Sequence, residues 1–275
     1  IGRRGPVGLM IDPLGLHFDP SQPSLIETLA ASPEAAAMRD AAQAALARLR
    51  AADLSKYNAH RPDAEAPPPG YVLVVDQTRG DASLRGAGRA EFLRMLQAAR
   101  DEHPGVPLVI RSHPETAAGH RAGHFTRADL RPGEVFCDTP VSPWRLVDNA
   151  AAVYAVSSQL GYEALLAGHR PRLFGQPFYA GWGLTEDATP IPRRAGRATV
   201  QRDGAPAQKG ADRPACDLQP LVGDVVAAVV QVGLPDAGIR RAPKAERAVV
   251  RGKQVEGAIA QPLPDRRLAV GVAWR

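Results

Sequence analysis

The pattern of apolar and polar positions divides the chain into three parts, of which residues 70–200 are the most regular. The runs YVLVVD (71–76) and VPLVIRSHPE (106–115) are continuously apolar up to a polar end, as strands covered on both faces are. Between them, RAEFLRMLQAARDEH (89–103) sets Phe92, Leu93, Leu96 and Ala99 on one helical face. EVFCD, AVYAV and RPRLF predict further strands. SPWRLVDNA predicts a helix capped by Ser142 with Pro143 at its first position, and QLGYEALLAG one capped by Ser157-Ser158 and closed by Gly168. Strands and helices in alternation predict an α/β domain on a doubly wound, Rossmann-type parallel sheet.

Residues 1–69 read differently. LMIDPLGLHFD predicts a hairpin turning at Asp12-Pro13-Leu14-Gly15, and Ser24-x-x-Glu27 is a capping box that opens a helix. A second helix is predicted from Ser32-Pro33 to about Ala52, and Pro67–Pro69 marks a linker. Residues 201–275 are built from Arg, Ala, Pro, Gly, Val and Asp, with no Phe, Trp or Tyr between Leu184 and Ala273. Only LQPLVGDVVAAVVQVGL is periodic there, so this tail is expected to be largely disordered.

Composition narrows the function classes. The net charge is +5, but residues 201–275 hold twelve Lys/Arg against eight Asp/Glu, so the rest is nearly neutral and offers no basic groove; nucleic acid is not an expected partner. No run approaches the roughly eighteen apolar residues of a spanning helix, and no leader pattern opens the chain, so a cytoplasmic protein is expected. Cys137 and Cys216 stand far apart without a second thiol near either, which excludes a CxxC metal pair. His120 and His124 near Asp129 lack a further ligand and read as a solvated loop, so no metal is expected; Gly86-x-Gly88 without a third glycine is no dinucleotide fingerprint.

In open α/β sheets ligands bind outside the carboxyl ends of the strands, and the polar residues of this chain gather at those ends. Asp76, Gln77, Asp81 and Ser83 follow the first strand, Arg111, Ser112 and His113 the second, and Ser157 and Ser158 a later one. The two serines would stand at a helix N-terminus, which favours phosphate, and Glu163 in the same helix is placed to reach sugar hydroxyls. The ligand this implies is a phosphorylated, sugar-bearing small molecule. Each residue also has a plainer reading: a turn for His113, a helix cap for the serines, solvated loop acids for Asp76 and Asp81.

Taken together and in order, DQTRGDASL, RSHPE, VSSQLGYEALLAG and FGQPFYAGWGLTED resemble the capsule polysaccharide biosynthesis proteins, the retaining β-Kdo transferases of KpsC type; LGLHFDPSQPSLIETL and LSKYN resemble them too, so the likeness covers about residues 9–199. The resemblance implies a GT-B fold, with residues 1–69 the remnant of a first domain and linker helix, 70–200 the CMP-sugar domain, and 201–275 outside the family pattern, as a shifted reading frame would leave it. It implies CMP-β-Kdo as donor substrate with no cofactor, transfer with retention onto a glycolipid acceptor, a place at the cytoplasmic face of the inner membrane, and other capsule biosynthesis and export proteins as partners. His113, with Pro114, would contact the CMP phosphate; Ser157 and Ser158 would donate to it, and Glu163 would hold the ribose. Asp81 is the first choice of nucleophile and Asp76 the second, while Arg111 or Arg79 would hold the Kdo carboxylate. Gln77, Ser83 and Gln176 complete the expected site. Phe178, Tyr179 and Trp182 would wall the sugar pocket, unless they anchor a domain crossover from inside the core. Because the chain opens inside what resembles the end of the first domain, little or no transferase activity is expected of it alone. Another CMP- or UDP-sugar transferase or epimerase, and an inactive remnant serving as an interaction protein, are the alternative readings.

Overall fold

The computed structural model describes residues 10–32, 37, 39–195 and 269–271. In chain order these form β1 (Met10–Asp12), α1 (Leu25–Ala30), α2 (Arg39–Ala51), β2 (Tyr71–Val75), α3 (Arg89–Glu102), β3 (Leu108–Arg111), α4 (Pro114–Ala117), β4 (Val135–Cys137), α5 (Pro143–Asp148), β5 (Ala150–Ala155), α6 (Gln159–Leu166), β6 (Arg172–Leu173), β7 (Glu186–Asp187) and β8 (Ala269–Gly271). Six of the strands build one parallel sheet in the order β4-β3-β2-β5-β6-β7, the doubly wound Rossmann order expected from the alternation.

The continuous apolar run of β2 is explained by its two faces. Tyr71, Leu73 and Val75 point into a cluster with Trp144, Leu146, Val147 and Leu165 of α5 and α6. Val72 and Val74 point to the other side, into a cluster with Phe92, Met95, Leu96 and Ala99 of α3. That spacing is i, i+3, i+4, i+7, so Met95 replaces the expected Leu93, which is exposed. Burying both faces of five residues removes nearly all of their apolar surface from water, roughly 25 cal/mol per Å2.

The N-terminal residues share this core. Ala42 of α2 and Ala64 lie in the α5/α6 cluster, Trp144 Nε1 donates to the Leu54 carbonyl at 2.8 Å, and Arg50 pairs with Asp148 at 2.8 Å. Ser24 caps α1, accepting from the Glu27 N–H at 3.2 Å as its sequence predicts. The expected hairpin over residues 9–19 is not formed, because β1 pairs antiparallel with β8 instead. The Asp12 carboxylate closes the intervening loop by accepting from the N–H groups of Leu14, Gly15 and Leu25 at 2.9, 3.1 and 2.7 Å. The tail expected to be disordered falls outside the described residues apart from β8. Among the described residues no helix is long and apolar enough to cross a membrane.

Candidate functional site

The site lies where β2 and β5 run side by side and their chains depart to opposite faces of the sheet, the topological switch point at which such folds bind ligands. Gln77 and Ser157 meet across it: Gln77 Nε2 donates to Ser157 Oγ at 3.1 Å and the Ser157 N–H donates to Gln77 Oε1 at 2.9 Å. Ser157 Oγ is also 3.2 Å from Ser83 Oγ. Ser83 in turn donates to Asp81 Oδ1 from its hydroxyl at 2.7 Å and its N–H at 2.9 Å. A continuous polar chain, Gln77–Ser157–Ser83–Asp81, therefore crosses the strand ends. Asp81 caps the short 3-10 turn Ala82–Leu84 and stays half-buried at the surface.

Ser158 caps α6 and accepts from the Leu160 N–H at 3.2 Å, which fixes the first turn of that helix beside Ser157. Glu163, further along α6, is buried and accepts from Ser55 Oγ at 2.7 Å and the Lys56 N–H at 3.3 Å. Burial raises its carboxyl above the usual range, against those two hydrogen bonds and the Lys56 charge. His113 caps α4 at the end of β3, its Nδ1 accepting from the Glu115 N–H at 3.2 Å, and the Tyr57 ring meets it edge-on at 5.0 Å. Burial pushes the His113 imidazole down to about 4, with Lys56 and Arg121 adding to the fall and the charges of Glu115 and Asp81 opposing it. At neutral pH the ring is uncharged, and with Nδ1 accepting, its proton sits on Nε2 as a donor.

The stretch Leu54–Asn58 thus ties Glu163 and His113 together, and it brings Lys56 among the carboxylates of Asp81, Glu163 and Glu115, which raise its pKa while burial, the larger effect, lowers it. Lys56 and Tyr57 were not among the residues read as a site. The stretch itself stood out as LSKYN, but nothing in its spacing gives a chemical role.

Other expected residues lie elsewhere. Asp76 is 1 % exposed, and its oxygens accept from the N–H groups of Gln77, His124 and Phe125 at 2.8, 3.0 and 3.3 Å, so it holds the loop after residue 122. Its carboxyl is pushed up to about 6 by burial, against those bonds. Arg111 is buried and turns toward β4, donating to the carbonyls of Cys137 at 3.4 Å and of Thr139. Gln176 donates to the Pro190 carbonyl at 3.1 Å and shares a cavity of about 210 Å3 with Ser83.

The aromatics of the loop pack inward. Tyr179 and Trp182 are 1 % and 4 % exposed and belong to the α5/α6 core, with Phe178 packed against it. Tyr179 donates to the Ser158 carbonyl at 2.6 Å and Trp182 to the Phe178 carbonyl at 2.8 Å, so each buried polar tip is satisfied and the ring is free to pack. What holds the loop from below is Arg194, 1 % exposed, which donates to the carbonyls of Pro177 and Ala180 at 2.8 and 3.0 Å and to Glu27 at 2.9 Å. The loop therefore acts on the site through Ser158, whose position it fixes. Among the described residues no cluster of three or more His, Cys, Asp or Glu could hold a metal; His124 stacks on Phe92 and Asp129 pairs with Arg89.

Comparison with known proteins gives this geometry its relatives. The family model described as "Capsule polysaccharide biosynthesis protein" matches residues 63–206. The lipopolysaccharide-processing protein LpsZ of Rhizobium meliloti is 33% identical over 204 residues, covering 71% of this chain and 46% of the relative. The capsule polysaccharide modification protein LipA of Neisseria meningitidis serogroup B is 33% identical over 214 residues, covering 71% and 30%. The chain thus spans less than half the length of these curated relatives. Among solved structures, the β-Kdo 2,4 transferase of Thermosulfurimonas dismutans KpsC superposes with a TM-score of 0.63 at 32% identity, covering 80% of this chain and 64% of that one. The β-Kdo 2,7 transferase of the same protein gives 0.52 at 25% identity, covering 78% and 62%. With the family model matching more than half of the sequence, the chain belongs to the capsule polysaccharide biosynthesis protein family.

Proposed function

We propose that this chain carries the donor-binding part of a glycosyltransferase of capsule polysaccharide biosynthesis, which transfers Kdo from CMP-β-Kdo with retention onto a glycolipid acceptor. The observation that carries the reading is the polar chain Gln77–Ser157–Ser83–Asp81 at the switch point, with the capped N-terminus of α6 behind it. Likeness to Kdo transferases supports it.

In this reading the CMP phosphate lies at the head of α6, where the hydroxyls of Ser157 and Ser158 and backbone N–H groups of the first turn donate to it, and Glu163 accepts from a ribose hydroxyl. The Nε2–H of His113 donates to a phosphate oxygen and stabilises the departing CMP, so its low pKa favours the role of neutral hydrogen-bond donor over that of a cation. Asp81 is the nucleophile: its carboxylate attacks the anomeric carbon as the bond to the phosphate oxygen breaks and CMP leaves with the electron pair. The acceptor hydroxyl then displaces the carboxylate, losing its proton, and two inversions give retention. Ser83, donating twice to Asp Oδ1 of this group, holds the carboxylate in one rotamer. Asp76 has no part in the reaction, its oxygens being bonded to the backbone. No cofactor is called for, and the acceptor places the reaction at the cytoplasmic face of the inner membrane beside other capsule biosynthesis and export proteins.

The test is CMP titration by calorimetry of the full chain, as wild type and with Ser157→Ala plus His113→Ala. Saturable CMP binding that the double variant loses is the expected result. A folded wild type blind to CMP would overturn the nucleotide reading, and CMP-Kdo turnover that survives Asp81→Asn once a family-like first domain is supplied would overturn the role of Asp81.

A further inference from the structure

The loop from Asp53 to His60, between α2 and β2, is pinned at several points. Ser142 Oγ donates to Asp53 Oδ1 at 2.5 Å, His60 Nε2 lies 2.9 Å from Asp53 Oδ2, and Trp144 Nε1 holds the Leu54 carbonyl at 2.8 Å. Within the loop the Ser55 N–H donates to Asn58 Oδ1 at 2.8 Å and Asn58 Nδ2 to the Ser55 carbonyl at 2.7 Å, which closes a turn around Lys56 and Tyr57. We infer, on the CMP-sugar reading of the site, that Lys56 is a specificity-determining residue: its ammonium receives the carboxylate of the transferred sugar acid beside Asp81.

Three observations carry it. First, the loop fixes Lys56 between two groups of the proposed donor site. Its N–H donates to Glu163 Oε1 at 3.3 Å, next to the Ser55 hydroxyl at 2.7 Å. Its Nζ lies over the Tyr57 ring, 5.2 Å from the centroid, and that ring meets His113 edge-on at 5.0 Å. Second, the charge of Lys56 stands among the acids of the site: Asp81 acts on the ammonium most, then Glu163 and Glu115, and the ammonium acts on Glu163 and His113 in turn. Burial outweighs those carboxylates, so a further anion beside the ammonium stabilises its charged form. Third, the arginines near the strand ends are turned elsewhere. Arg111 donates to the Cys137 and Thr139 carbonyls, and Arg79 Nε to the Gly123 carbonyl at 2.7 Å. Arg85 pairs with Asp19 at 3.1 Å, Arg89 with Asp129 at 2.6 Å and Arg121 with Glu115 at 3.7 Å.

The chemistry of the donor gives such a cation its task. The anomeric carbon of a 2-keto sugar acid carries the carboxylate directly, so attack by Asp81 brings two anions together, and a cation between them offsets the repulsion. Nucleophile and leaving phosphate share one axis, with the carboxylate to its side. The phosphate is met by the serine hydroxyls, the backbone N–H groups of α6 and His113, whereas an ammonium whose strongest charge partner is Asp81 meets the carboxylate. A sugar without an acid group leaves that ammonium uncompensated, and this is what selects the acid.

The experiment titrates CMP, CMP-β-Kdo and the C1 amide of CMP-β-Kdo into the full chain by calorimetry, as wild type and as Lys56→Met. The wild type is expected to bind the acid about tenfold or more tighter than the amide, as one charge-assisted hydrogen bond implies, and Lys56→Met to lose that difference while its affinity for CMP is unchanged. Lys56 is half-buried, outside the core clusters, and circular dichroism checks the fold; should Lys56→Met not fold, Lys56→Gln is read in its place. A preference for the acid that survives the substitution, or a wild type that binds acid and amide equally, would overturn the inference. Equal loss of CMP and CMP-β-Kdo affinity in a folded variant would also overturn it, assigning Lys56 to the phosphate instead. A wild type blind to CMP overturns the donor reading and the inference together, whereas CMP binding without a Lys56-dependent preference for the acid overturns the inference alone.

Discussion

Replacing Arg194 by Met should destabilise the protein by about 3 kcal/mol, because it breaks a buried ion pair that ties α1 to the aromatic loop. The guanidinium is 1 % exposed and holds Glu27, itself 2 % exposed, at 2.9 Å, together with the Pro177 and Ala180 carbonyls. Removing one partner of such a pair costs roughly 3–5 kcal/mol, since the other is left charged out of water. Arg193 lowers that figure toward its bottom end, for it also bonds Glu27, at 2.8 and 3.1 Å, and the carboxylate is not orphaned. Arg194→Met with Glu27→Met should cost less than the sum of the two single changes, as an apolar pair leaves no buried charge behind. Burial alone would raise the Glu27 carboxyl, but its hydrogen bonds and charge pairing with Arg193 and Arg194 outweigh that and hold it below the ordinary value of 4.5. The stability it contributes is therefore complete above about pH 4.5 and lost as pH falls through the lower folded value, a dependence that Glu27→Gln removes. Urea denaturation of the wild type, the two Met variants, their double variant and Glu27→Gln, repeated at acid pH, reads all of this. A loss below about 1 kcal/mol in Arg194→Met, or strict additivity in the double variant, would refute the reasoning.

Three other outcomes are expected. Gly161→Ala places a Cβ 2.4 Å from the Tyr179 hydroxyl and should cost about 1–3 kcal/mol, of which Tyr179→Phe in the same chain recovers part; urea curves of the single and double variants decide it. By NMR His113 should titrate near 4; with its folded value below the ordinary 6.5, the stability linked to it is present above that value and lost as pH falls toward 4, and a midpoint above 6 would sink the neutral-donor role. Ser55→Ala removes the 2.7 Å hydroxyl donor to Glu163, whose carboxyl burial already raises; the loss should be about 1–3 kcal/mol where the carboxyl is ionised and smaller where acid has protonated it. Equal losses at acid and alkaline pH would mean that the Ser55 hydroxyl does not favour the ionised form of Glu163.

What was legible in the sequence follows from range. The five apolar residues of β2 announce a strand covered on two sides, and the Ser-x-x-Glu and Ser-Pro signals announce helix starts, because each is settled within a few residues by sterics and capping. β7 was missed, since Glu186-Asp187 is a polar pair with no periodicity and becomes a strand only by lying beside β6. The hairpin expected around Asp12 failed for the same reason in reverse: the turn chemistry is real, with Asp12 bonding Leu14 and Gly15, but the strand partner comes from the far end of the chain. In the aromatic loop, glycine and proline argued for exposure. The carbonyls of that loop can be buried only because Arg194 and the Trp182 indole satisfy them, and neither pairing leaves a trace in spacing.

The same distinction separates the two candidate acids. Asp76 and Asp81 both follow β2, and sequence position alone gives them equal access to a ligand at the strand ends. Gly123 divides them: a Cβ there would fall 2.2 Å from Asp76 Oδ2, so the backbone of that loop closes directly over the Asp76 carboxylate and its N–H groups replace water. Asp81, five residues on, follows Gly80, whose φ of +73° turns the chain out of the sheet edge and leaves the carboxylate held by Ser83 yet half-buried at the surface. An acid with both oxygens wrapped by backbone N–H groups secures a loop, whereas one held by Ser83 through Oδ1 keeps its other oxygen for chemistry. The linkage of Ser83 to Ser157 then ties the Asp81 carboxylate, through Oδ1, to the capped end of α6, so the nucleophile and the phosphate site of the proposed reaction are positioned by one hydrogen-bonded chain.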